Sequence, residues 1–128
     1  MKHMSELHRI QFLNLSSNKI ASIEKLIYQK ALVDLNLSDN LITEIDNLRY
    51  LTSLNVLTLS DNQIIRITGL IELVDIKILR MDHNQIVTIE GLSELQKLEL
   101  LDLSSNRIAR IQNLEELSKL ESLNLQLN

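Results

Sequence analysis

The sequence predicts a solenoid of the α/β class, built within one domain from a short unit that repeats along the chain. Three observations predict it. Asn18, Asn40, Asn62, Asn84, Asn106 and Asn128 follow one another at intervals of 22 residues, a regularity that chance does not produce. The same aliphatic frame returns around every Asn, and 34 of the 35 frame positions in five complete units hold Leu, Ile or Met. Two spacings alternate inside each unit, two residues before the Asn and three after it.

Residues 1–9 are a lead-in, and the His3-Met4 pair resembles a cloning junction, which puts the native start near Ser5. The complete units are 10–31, 32–53, 54–75, 76–97 and 98–119. In the third, Leu57-Thr58-Leu59 has period two and predicts a short half-buried strand. Ile64, Ile67, Leu70 and Leu73 then recur every three residues, which suits 3₁₀ turns or an extended path better than an α-helix. One long amphipathic helix is excluded, because the i, i+3, i+4, i+7 stripe is missing and weak helix formers sit mid-pattern. The one frame position without an aliphatic residue is Gln29, where Ile27 or Tyr28 is expected to fill the core instead. A sixth unit stops at Asn128, and Leu127 stands where other units carry Ser, Asp or His. No polar cap is written at that end, so the chain reads as an excised or designed array, or as a tract covered by something else.

The frame L-x-x-L-x-x-L-x-L-S-x-N-x-I-x-x-I-x-x-L resembles a leucine-rich repeat over residues 10–128. The unit length, the Ile after the Asn, and endings such as Ile67-Thr68-Gly69-Leu70 are similar to the subclass typified by the nuclear regulatory subunit of protein phosphatase 1. Bacterial internalins use a close variant. The resemblance implies a right-handed horseshoe with a parallel concave sheet and 3₁₀ or extended convex segments. It also implies that each Asn amide satisfies backbone groups left unpaired where the chain leaves its strand. Removing Asn62 from mid-array should therefore cost more than removing Asn128 from the end.

If the Leu-x-Leu side chains point inward, their neighbours face outward in rows. One row is Phe12, Asp34, Val56, Ile78, Leu100, Ser122, and the next is Asn14, Asn36, Thr58, Arg80, Asp102, Asn124. These rows and the two turn rows through Asp82 and His83 are read as the positions where the repeat stops dictating residue type. Val56, Ile78 and Leu100 form an apolar stripe flanked by Arg80, Asp82 and Asp102, with Phe12 at the first strand, and apolar patches rimmed by polar groups mark partner sites. The phosphatase regulator's contact surface is rich in aromatic and acidic residues, whereas Phe12 is the one concave aromatic here, so none of its contact residues is carried over.

The remaining composition closes other routes. Without Cys there is no disulfide or thiolate metal site. No apolar run approaches the length of a membrane-spanning helix. A net charge of −4 and three aromatic residues disfavour nucleic acid. Asp61, Asp82 and His83 converge near one turn edge but are anchored only by loops, so no metal, cofactor or catalytic triad is expected. Asn14-Leu15-Ser16 and Asn36-Leu37-Ser38 match the glycosylation pattern because the frame itself writes Asn-Leu-Ser. The expected function is a non-enzymatic module, cytoplasmic or nuclear, that binds another protein on its concave face. Alternatives are an internalin-like surface adhesion module and an engineered scaffold. A homodimer through residues 108–128 is expected from the uncapped end, with Ile108, Ile111, Leu114 and Leu117 partly exposed.

Overall fold

The computed structural model describes residues 7–24 and 26–128; the proposed cloning junction lies outside the described residues. Six strands of three residues form one parallel sheet in chain order: β1 (Phe12–Asn14), β2 (Asp34–Asn36), β3 (Val56–Thr58), β4 (Ile78–Arg80), β5 (Leu100–Asp102) and β6 (Ser122–Asn124). Leu13 lies opposite Leu35, which lies opposite Leu57, and so on to Leu79, Leu101 and Leu123. The 22-residue interval of the sequence is thus the register of the sheet.

Period two sets the faces. The central residues Leu35, Leu57, Leu79 and Leu101 point inward and are fully buried, while their neighbours on β2 to β5 are half-buried on the outer face. Period three is explained by a repeated turn. Leu51 N–H donates to Leu48 O at 2.9 Å and Leu54 N–H to Leu51 O at 3.1 Å, and the third, fourth and fifth units repeat this pair of bonds. An i→i+3 bond every three residues returns each Leu to the same side. One such turn closes into a 3₁₀ helix, Leu26–Tyr28, and no α-helix occurs among the described residues. None of the described helices is long and apolar enough to cross a membrane.

The chain turns through the left-handed backbone region twice in each of the second to fifth units. Ser17, Asp39, Asp61, His83, Ser105 and Leu127, each just before a ladder Asn, have φ of 53–57°. Small polar residues tolerate this conformation by bonding locally, whereas Leu127 carries the full penalty of about 1–2 kcal/mol. At the second corner stand Asn47, Gly69, Gly91 and Asn113. Gly91 has φ +68°, and a Cβ there would sit 2.5 Å from the carbonyl oxygen of Ile67 in the preceding unit. Asn113 meets the equivalent oxygen differently, its side-chain amide donating to Ile89 O at 2.7 Å.

Two expectations about the core are corrected. Gln29 fills its frame position itself and is fully buried, while Tyr28 is exposed and Ile27 is only half-buried. Its backbone explains the placement, since Gln29 N–H donates to Leu26 O and Gln29 O accepts from Leu32 N–H in the usual pair of turns. At the other end, Ile108 and Leu117 are buried; Leu114 is half-buried, and Ile111 is 73% exposed. The short sixth unit reaches far enough to cover Ile108, whose N–H donates to Asn128 Oδ1 at 3.0 Å, but supplies no partner over Ile111.

Candidate interaction face

The Asn ladder holds the turn beside the outer face. Asn62 Nδ2 donates to Leu59 O and Ser60 O of its own unit and to Leu37 O of the preceding one, at 3.0–3.1 Å. Its Oδ1 accepts from Ile42 N–H, also in the preceding unit, at 3.0 Å. Asn40, Asn84 and Asn106 repeat this set. Among the described residues the Asn18 side chain bonds only Leu15 O and Ser16 O. Asn128, by contrast, makes the whole set, including Leu103 O at 2.9 Å. Asn128 is thus bonded like the mid-array members, because the ladder reaches toward the N-terminus.

On the outer face, register brings Val56, Ile78 and Leu100 side by side on β3, β4 and β5. At about 4.8 Å per strand the stripe spans roughly 10 Å. Arg80 and Asp102 face each other across β4 and β5 in the neighbouring row. Phe12 is 71% exposed but lies apart from the stripe, with Asp34 on β2 between it and Val56. The stripe and its flanking charges are thus contiguous, and Phe12 marks a separate end of the face.

The polar rows are more constrained than the sequence suggested. Asn14 Oδ1 accepts from both the N–H and the hydroxyl of Ser16, at 2.9 and 2.7 Å. Asn36 and Ser38 repeat this arrangement, as do Asp102 and Ser104. Each is a side chain standing in for a turn carbonyl. Asp102 also accepts from Asn124 Nδ2 at 3.2 Å. In the third and fourth units the Asx residue is replaced by Thr58 and Arg80, and a different brace appears. There the Ser60 hydroxyl donates to Asp82 Oδ1 of the next unit. The idea that the repeat leaves these rows undictated is thus corrected: several members hold the turn, and the αL corner selects the residues beside them. The sequence signal was available in the recurrence of Asn or Asp two positions before Ser.

Asp82 also bonds His83 Nδ1 at 3.0 Å. Burial alone would raise the Asp82 pKa, but the hydrogen bonds from Ser60 and His83 outweigh it and hold the carboxyl below its ordinary range. His83 is raised, chiefly by the Asp82 hydrogen bond, with Asp61 and Asp102 adding attraction for its proton. One potential ligand atom from each of Asp61, Asp82 and His83 comes within 4.8 Å of the others, so the convergence read from the sequence is real. Within the group, Asp82 and His83 satisfy each other and Ser60. Arg80 forms no ion pair among the described residues, and neither do Asp34, Asp39 or Asp61.

A one-strand-per-unit parallel sheet backed by stacked Leu turns and braced by an Asn ladder defines the leucine-rich repeat solenoid. Residues 97–120 match the Leucine Rich Repeat family. The chain thus has the fold of a leucine-rich repeat solenoid, and the family match and the structural neighbours support that reading. It is similar to internalin C2 of Listeria monocytogenes, with 34% identity and a TM-score of 0.89 over 95% of this chain and 54% of that one. It is also similar to a leucine-rich repeat protein of Leptospira interrogans, with 29% identity and a TM-score of 0.90 over 97% of this chain and 33% of that one. A Listeria internalin, InlF, gives 26% identity and a TM-score of 0.78 over 94% of this chain and 42% of that one. The chain thus spans between a third and about half of these structures. No curated protein sequence matches it significantly.

Proposed function

We propose that the chain is a non-enzymatic protein-interaction module that binds its partner on the concave sheet face. The observation that carries this reading is the stripe Val56, Ile78 and Leu100 with the unpaired Arg80 beside it. The fold needs only the inward residues of these strands, so three adjacent outward aliphatics serve no core. The phosphatase-regulator resemblance suggests one partner to try, the catalytic subunit of protein phosphatase 1, in the cytoplasm or nucleus. A second reading is a surface adhesion module, favoured by the likeness to internalin C2 and InlF. Cell fractionation separates the two settings. The concave assignment is tested by Ile78→Asp combined with Leu100→Asp. Both side chains lie outside the core, so circular dichroism and urea midpoint should hardly change while partner capture is abolished. Undiminished capture by this folded double variant contradicts the assignment.

A further inference from the structure

The outer face differs at its two ends. Over β3 to β5 it carries the aliphatic stripe and Arg80. Over β1 and β2 it carries Phe12 and Asp34, and at the adjoining turn edge the second and third units carry Asp39 and Asp61. Phe12 lies directly opposite Asp34 in the register and presents an exposed ring beside a carboxylate. Asp39 and Asp61 are exposed one unit apart at the αL corner. None of the three carboxylates is paired with a Lys or Arg among the described residues. Their location sets them apart from Asp82 and Asp102, whose oxygens already brace turns. The position before the ladder Asn requires only a residue that tolerates the left-handed region, a need that Ser17 and Ser105 meet without charge.

We infer that the partner presents a peptide segment with aliphatic side chains at one end and a Lys/Arg cluster at the other. The aliphatic end lies on Val56, Ile78 and Leu100, and the basic end lies over Phe12, Asp34, Asp39 and Asp61. An aromatic face next to carboxylates is a cation-recognising pair, because the ring quadrupole and the charge attract the same group. Arg80 would take a carboxylate or backbone carbonyls of the same segment, since an unpaired guanidinium offers five donors. The inference rests on the concave assignment above and adds polarity and charge to it.

The test is selection from a random twelve-residue peptide library displayed on phage, against the whole chain, with the Ile78→Asp/Leu100→Asp variant as counter-target. Recovered peptides should join aliphatic residues to a Lys/Arg cluster. A synthetic copy of a recovered peptide should bind about tenfold more weakly to a chain carrying Asp34→Asn, Asp39→Asn and Asp61→Asn. Its binding should also weaken as salt rises. Asn tolerates the left-handed corner as well as Asp does, so this variant keeps its fold. Peptides that lack a basic cluster, or bind the triple variant undiminished, overturn the charge inference and leave the concave assignment standing. Peptides that bind the double variant equally well, or no enrichment over it, overturn both.

Discussion

The first and last turns of the array differ in a way that shows how the stack is held. Asn18 and Asn128 occupy the same frame position, yet among the described residues the Asn18 side chain binds only its own unit while the Asn128 side chain makes two further bonds to the unit before it. The apolar side shows the reverse. Ile23 in the first unit is fully buried, whereas Ile111 at the same position in the fifth unit is exposed. A unit therefore receives two kinds of support from its neighbours. The polar ladder ties each turn back to its predecessor, and the Leu/Ile core of the descending half needs the following unit to cover it. Solenoid stability is a sum of such nearest-neighbour terms, and here those terms are directional.

The sharpest break in this comparison is a ladder series. Asn62→Ala strips partners from Leu37 O and Ile42 N–H, both in the middle of the stack, and should cost up to about 3 kcal/mol in urea unfolding. Asn128→Ala should cost about 1 kcal/mol, because the groups it leaves are closer to solvent. Asn18→Ala, which severs no bond between units, should cost least. A loss at Asn18 equal to that at Asn62 would mean that the ladder does not couple the units.

The second corner provides a smaller contrast. Gly91→Ala forces a Cβ against Ile67 O in a left-handed conformation and should destabilise the chain by about 1–2 kcal/mol or more. Asn113→Ala, at a turn already wide enough for a side chain, should lose one hydrogen bond, about 1 kcal/mol, and add only the smaller strain of Ala for Asn in the left-handed region, with no clash. Thermal unfolding of the two variants side by side would rank them, and a milder effect at Gly91 would show that the stack opens there without cost.

The smallest effect belongs to Asp82 and His83. The depressed Asp82 carboxyl contributes stability above its ordinary value of 3.8, lost as pH falls through the folded value. The raised His83 contributes below its ordinary 6.5, lost as pH rises through its folded value. The pair therefore helps most between those two ordinary values. NMR titration should find His83 above 6.5, and Asp82→Asn should bring it down. An unchanged His83 titration in that variant would remove Asp82 as the cause. His83 is well exposed, so solvent screening keeps the stability change small.

Much of this architecture was legible because one pattern served two purposes. The spacing that repeats the Asn is the strand register, and the aliphatic frame is the buried set from Leu32 to Leu103. Gln29 was misread because polarity was taken to exclude burial, whereas the turn geometry fixes the position whatever its side chain. The αL corners were missed although Asn47, Gly69, Gly91 and Asn113 announce one of them, since those residue types share a backbone preference rather than a polarity. The ladder's direction was not legible at all. A period states that units are equivalent, and equivalence carries no information about which neighbour a side chain reaches. The candidate face was legible in part: register makes the stripe contiguous, while the commitments of Asp82 and Asp102 to turns appear only in three dimensions.

Native-state hydrogen exchange on Asn62→Ala tests the directional ladder most directly. Ile42 N–H donates to Asn62 Oδ1, and Ile64 N–H, in the same unit as Asn62, donates to Asn84 Oδ1. The account predicts that the variant loses protection at the Ile42 amide while the Ile64 amide exchanges nearly as in the parent chain. Loss of protection at Ile64 with Ile42 unaffected would contradict it.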